Sequence, residues 1–146
     1  MWKRYVRLKA LEPRLDLEWV ADCEKHGLAS FKGTKVTLKN VRDFTWKSKW
    51  EHDSKWINTK VDIEEIVDVW FVIDHFHKIK GLAHTMLTFE FKDGQFITFS
   101  FETRREIGEK YHPWKGLWRA YELYLLVATE SDALHLRTNA RNHKVH

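Results

Sequence analysis

Between residues 83 and 105 the chain alternates apolar and polar positions along two arms, AHTMLTFEF and QFITFSFETRR, with KDG between them. Thr85, Leu87, Phe89 and Phe91 form one stripe of the first arm, and Ile97, Phe99 and Phe101 one stripe of the second. A period of two is the mark of strands with one face in a core. Lys92-Asp93-Gly94 suits a three-residue hairpin loop, a type I turn closed by Gly94 in the left-handed region. That loop pairs Leu87 with Phe99 and Phe89 with Ile97, so both stripes share a face. A two-residue turn would set Phe99 opposite Thr88 and mix the faces, a slip that a buried face resists. Leu87, Phe89, Phe99 and Phe101 are therefore expected inside. The other face carries Met86 opposite Ser100 and, at its far end, His84 opposite Glu102. A histidine beside a carboxylate can be held in one tautomer and supported in its charged form; a solvated pair at a strand end is the plainer alternative.

The pattern elsewhere predicts shorter elements. Residues 16–26 read as a short helix capped by Asp16 and stopped by Gly27, with Cys23 near the edge of its apolar face as a small buried hydrophobe. KVTLKN (35–40) reads as a strand. The tryptophan-rich segment 41–56 has no clean period and reads as an extended wrap pinned by its aromatic side chains. Asp62 caps a turn or two of helix to residue 67. VWFVIDHF (69–76) is nearly continuous in apolar residues, as a central strand covered on both faces would be. YELYLLVAT (121–129) is a further strand, and Ser131 or Asp132 caps a helix reaching Leu136. Residues 1–14 form a basic amphipathic arm, and 104–118 a long charged connection.

These elements predict an α+β fold: a mainly antiparallel sheet of four to five strands with helices packed on one face. The 146 residues suffice for a single domain with its own core. The net charge of +4 is spread along the chain rather than gathered into a stripe, so nucleic acid is not an expected partner, whereas an anionic membrane surface is compatible. Eight tryptophans exceed what a core of this size needs, which points some of them at a groove or at the sheet surface. With Cys23 the only cysteine there is no internal disulfide. No apolar run is long enough to span a membrane, and MWKRYVRLKALEP lacks the apolar core of a signal peptide. His75, His77 and His84 invite a metal, but no third ligand has a defined spacing, so neither metal nor cofactor is expected.

NVRDFTW (40–46), AHTMLTFEFKDG (83–94), FETRREIGEKY (101–111), YELYLLVATESD (121–132) and LRTNAR (136–141) occur in one order. The series resembles the bacterial family of the Lnb N-terminal periplasmic domain, named after a lipoprotein N-acyltransferase, over about residues 30–141. Residues 1–28 then form an N-terminal arm and helix ahead of that core. The resemblance implies an envelope location and a papain-like core related to NlpC/P60 enzymes. It also implies cysteine-type acyl transfer on a lipid or lipoprotein substrate. His84 would be the base and Glu102 the group that orients it. Arg104 and Arg105, with Thr85 near the histidine, would meet a substrate carboxylate or phosphate. Longer relatives place an Asn-Cys motif beyond the point where this chain stops, and Cys23 is not in that context. The C-terminal continuation and the nucleophile thus read as absent. The alternative is a non-catalytic envelope domain that binds lipid or peptidoglycan-derived ligands. On its strand Arg105 is expected to need an acidic partner such as Glu106, Glu109 or Glu122.

Overall fold

The computed structural model of the chain describes residues 16–76, 82–110, 112 and 121–146. The arm 1–14, His77 and residues 111 and 113–118 of the 104–118 connection lie outside the described residues. Among the described residues ten strands follow in order: β1 (Leu28–Lys32), β2 (Lys35–Arg42), β3 (Thr45–Trp46), β4 (His52–Asp53), β5 (Trp56–Asp62), β6 (Ile66–His75), β7 (His84–Phe91), β8 (Phe96–Arg104), β9 (Glu122–Thr129) and β10 (Lys144–Val145). The α-helix α1 (Glu130–His135) runs directly into a wider helical turn, Leu136–Ala140.

The architecture is mostly β and corrects the α+β expectation. One mixed sheet of eight strands has the order β1-β2-β9-β8-β7-β6-β10, with β5 paired to β2, and β3 and β4 form a separate ribbon. It is neither a four- to five-stranded sheet with helices packed on one face nor a papain-like core. The expected helix at 16–26 is a single tight turn, Ala21–Cys23. At 62–67 Asp62 does cap, accepting from the Glu64 N–H at 3.2 Å, but only over Ile63–Glu65. The β-branched run beginning at Ile66 then favours the extended β6 over a second helical turn. β5 escaped notice because its alternation, Ile57, Thr59 and Val61, is short and follows the irregular tryptophan segment. It pairs along β2 with Val36 opposite Val61. A bulge interrupts that ladder between Leu38 and Val41, where Asn40 takes a φ of 57°. Asparagine is one of the few residues that adopt this conformation readily.

The chain forms two compact units, residues Met1–Glu24 with Glu102–Tyr124 and residues Lys25–Phe101 with Leu125–His146. In the larger, the core is Val36, Leu38, Val41, Val61, Phe91, Ile97 and Val127, with Ile57, Ile66, Phe89 and Phe99 against it. The hairpin has the expected register, Leu87 opposite Phe99 and Phe89 opposite Ile97, with Gly94 at a φ of 83° in its loop.

Which face is inside differs from expectation. Phe89 and Phe99 pack against the core, but Leu87 is 40% and Phe101 71% exposed. On the other face Met86, Thr88, Thr98 and Ser100 are buried. Thr88 and Thr98, both at 0% exposure, share a hydrogen bond at 2.8 Å, so burial leaves neither hydroxyl unsatisfied. Likewise β6 is not covered on both faces, since Val69, Trp70 and Phe71 are exposed.

A buried carboxylate joins distant parts of this unit. Asp132 of α1 accepts from Arg42 Nε at 2.8 Å and Nη2 at 2.9 Å, from the Phe44 N–H at 2.9 Å and from Trp46 Nε1 at 2.7 Å. Arg42 also pairs with Ala128, the parallel contact of β2 with β9. Phe44 stacks on His52 at 4.6 Å and meets Trp56 edge-on at 5.3 Å, so aromatic rings anchor the 41–56 segment. The helix begins at Thr129, whose hydroxyl accepts from the Asp132 N–H, rather than at Ser131 or Asp132.

Two outcomes follow. Asp132→Ala leaves the Arg42 guanidinium buried without its counter-charge and should lower the unfolding free energy by roughly 3–5 kcal/mol in urea titrations. Ile97→Ala should cost about 2–5 kcal/mol, whereas Leu87→Ala, which removes a partly wetted side chain, should cost less than about 1.5 kcal/mol in the same titrations.

Candidate functional site

His84 opens β7, and its backbone pairs with Asp74 of β6, two residues beyond the Val72–Met86 pair. Strand alternation therefore puts His84, Met86, Thr88 and Ser100 on one face of the sheet with Asp74. The half-buried imidazole is fixed by Ser100, whose buried Oγ lies 2.7 Å from His84 Nε2. Ser100 is thus a partner of the histidine set into the sheet, without the exposure that a nucleophile needs.

Asp74 is the acidic neighbour that sequence reading missed. It is buried, 3.1 Å from Arg137 Nε and 2.9 Å from His143 Nδ1. Arg137 comes from the turn after α1, where its Nη1 also donates to the Ala133 carbonyl. His143 is held as its chain leads into β10, which pairs with β6. The signal was a single carboxylate inside the apolar run VWFVIDHF, since an acid rarely enters such a strand unless it is paired. Thr85, next to His84, faces the opposite side of the sheet and is exposed, so the two are not brought together.

Glu102, Arg104 and Arg105 belong to the smaller unit, where Glu102 is half-buried. There residues 18–24 run beside residues 104–107: the Val20 N–H donates to the Arg105 carbonyl and the Ile107 N–H to the Glu18 carbonyl, each at 3.0 Å. Arg104 is buried, its guanidinium carbon 4.1 Å from the Trp19 ring centre. It donates to the carbonyls of Cys23 at 3.0 Å and Glu24 at 2.8 Å. Arg105 does have an acidic partner, but it is Asp22 at 2.6 Å rather than Glu106, Glu109 or Glu122.

Cys23 lies against the same backbone. Its Sγ accepts from the Arg105 N–H at 3.3 Å and donates to the Arg105 carbonyl at 3.5 Å. Only 2% of the residue is exposed, and burial pushes the thiol above its ordinary range, with the Arg105 amide opposing in part. The resting sulfur is therefore a protonated thiol, the opposite of an activated nucleophile. Among the described residues no three His, Cys, Asp or Glu side chains converge to hold a metal ion.

A mostly β domain with a histidine anchored on its sheet is the class that this architecture defines. Residues 52–146, more than half of the chain, match the family described as the Lnb N-terminal periplasmic domain, and the chain belongs to that family. Membership implies a location in the bacterial envelope. No curated protein and no solved structure matches the chain. His84, Ser100, Asp74, Arg137 and His143 fall inside the matched segment, and Cys23 falls outside it. No helix among the described residues is long and apolar enough to cross a membrane.

The state of Cys23 is open to chemical test. A raised pKa favours the protonated thiol in the fold, so this contribution to stability is present below the unfolded thiol's pKa and is lost as pH rises through the folded value. At pH 8 iodoacetamide should label Cys23 at least about ten times more slowly in the native protein than in urea. Equal rates would show an accessible, activated sulfur.

Proposed function

We propose that this chain is an envelope domain contributing the histidine base to acyl transfer of the cysteine type. The observation that carries the reading is the 2.7 Å contact of His84 Nε2 with Ser100, which orients a half-exposed imidazole inside the family-matched segment. In the proposed reaction His84 takes the proton of a thiol. The thiolate then attacks the ester carbonyl of an acylated lipid, forming a thioester and releasing the alcohol, which carries the proton away. An amine acceptor next displaces the thiolate, forming the amide and restoring the thiol, with His84 relaying the amine proton. Cys23 in its resting state is not that thiol, so the sulfur enters from outside the residues described.

Glu102 as the orienting carboxylate and Arg104 and Arg105 as substrate contacts stand in this reading on the family resemblance; Thr85, on the face opposite His84, does not join them. Asp74, paired in register with His84, stands on the same face of the sheet, with its carboxylate held by Arg137 and His143.

The alternative, a binding domain for lipid or peptidoglycan-derived ligands, is favoured by the buried protonated state of Cys23. The two readings separate when a thiol is supplied. With cysteamine as nucleophile and p-nitrophenyl octanoate as donor, the protein should accelerate acyl transfer, and His84→Ala should lower that rate by roughly 100-fold or more. Added imidazole should restore part of it, and circular dichroism should show an unchanged fold. A rate equal in the two proteins removes the base and leaves the binding reading.

A further inference from the structure

We infer that the uncovered apolar face of the larger unit's sheet is the interface with a second copy of this chain. Val69 and Phe71 of β6, Leu87 of β7, Phe101 of β8 and Leu125 of β9 are all exposed, Phe71 at 61%. They share one face. Val69 pairs with Phe89, Phe71 with Leu87, and Leu87 with Phe99. Phe101 lies two residues beyond Phe99, and Leu125 two before Val127, whose side chain joins the core with Ile97. The strands are neighbours in the sheet, so the patch is continuous. It lies on the opposite side from His84, and the inference is independent of the role proposed for that histidine.

Area and charge select the occupant. With side chains of ordinary size, these five leave roughly 500 Å² of apolar surface in water, at the upper end of what a monomer carries. A stable complex buries about 800 Å² per partner, and about 65% of a homodimer interface is apolar. The patch therefore has the area of the apolar centre of one such interface. In the centre of this face Val69, Phe71, Leu87, Phe89, Phe99 and Phe101 are all uncharged, while Lys144, paired with His75, stands at the β10 edge. A copy turned about a twofold axis through that centre meets no like charge there, and a flat sheet face accepts a second one at about 10 Å. An anionic bilayer would call for a cluster of basic residues around the apolar ones, where this edge offers Lys144.

Sedimentation equilibrium of the 146-residue chain at roughly 50 μM, where a micromolar Kd is saturated, tests this. The expected mass is about 35 kDa, twice the chain's 17.6 kDa. Phe71→Glu should weaken association by roughly 100-fold or more and return the monomer mass, because each copy then faces a charge in the centre of the interface. Phe71→Ser and Phe101→Glu should do the same, with circular dichroism unchanged. Trp50→Ser, altering an exposed ring of the 41–56 segment, should remain a dimer. A monomeric wild-type chain overturns the inference. So does a monomer that floats with phosphatidylcholine vesicles through Phe71, which would assign the face to lipid. A dimer that survives Phe71→Glu and Phe101→Glu also overturns it.

Discussion

The larger unit depends on one carboxylate. Asp132 receives two donors from Arg42, one from the Phe44 backbone and one from the Trp46 indole, and each belongs to chain some ninety residues earlier. Four donors on two oxygens largely offset what it costs to bring this charge out of water. Through them the start of α1, the end of β2 and the aromatic segment take one arrangement. Thr129 extends the joint, since its hydroxyl accepts from the Asp132 N–H and donates to Asp43. Without this fixed point the parallel contact at Arg42 and Ala128 would rest on a single backbone pairing.

Local turn chemistry made the hairpin legible. Lys92-Asp93-Gly94 admits one loop geometry that keeps the stripes together, and the observed register agrees with it. The inside of the sheet was not legible, because alternation separates two faces without ranking them. Phenylalanine and leucine suggested one face, yet that face is covered only near the turn. The other is filled by Met86 and by hydroxyls that satisfy one another. The α+β expectation failed for a related reason. Asp62 is a sound cap, but a cap supports a helix only when the following residues continue it, and there β6 takes over after Glu65; Asp16 caps no helix, since the turn at Ala21–Cys23 begins at Val20 without a side-chain cap.

The site was legible in part. The alternation that sets His84 beside Met86 also sets it beside Ser100, and the histidine is held there. Asp74 was hidden because its partners, Arg137 and His143, come from the far end of the chain, and no local spacing announces such an ion pair. The enclosure of Cys23 is equally non-local, since the amide and carbonyl around its sulfur belong to Arg105. Composition could describe a lone cysteine as a small hydrophobe, but only the folded chain shows the contacts that keep its proton in place.

The Thr88–Thr98 pair constrains how this family member can change over generations. Each hydroxyl satisfies the other where water does not reach. Exchange of one threonine for valine keeps the shape but strands a polar group, whereas exchange of both removes the problem along with the bond. The two positions are therefore locked one at a time and nearly free together. Among diverging descendants of this chain they should travel as a pair, hydroxyl with hydroxyl or methyl with methyl, and mixed pairs should be short-lived intermediates.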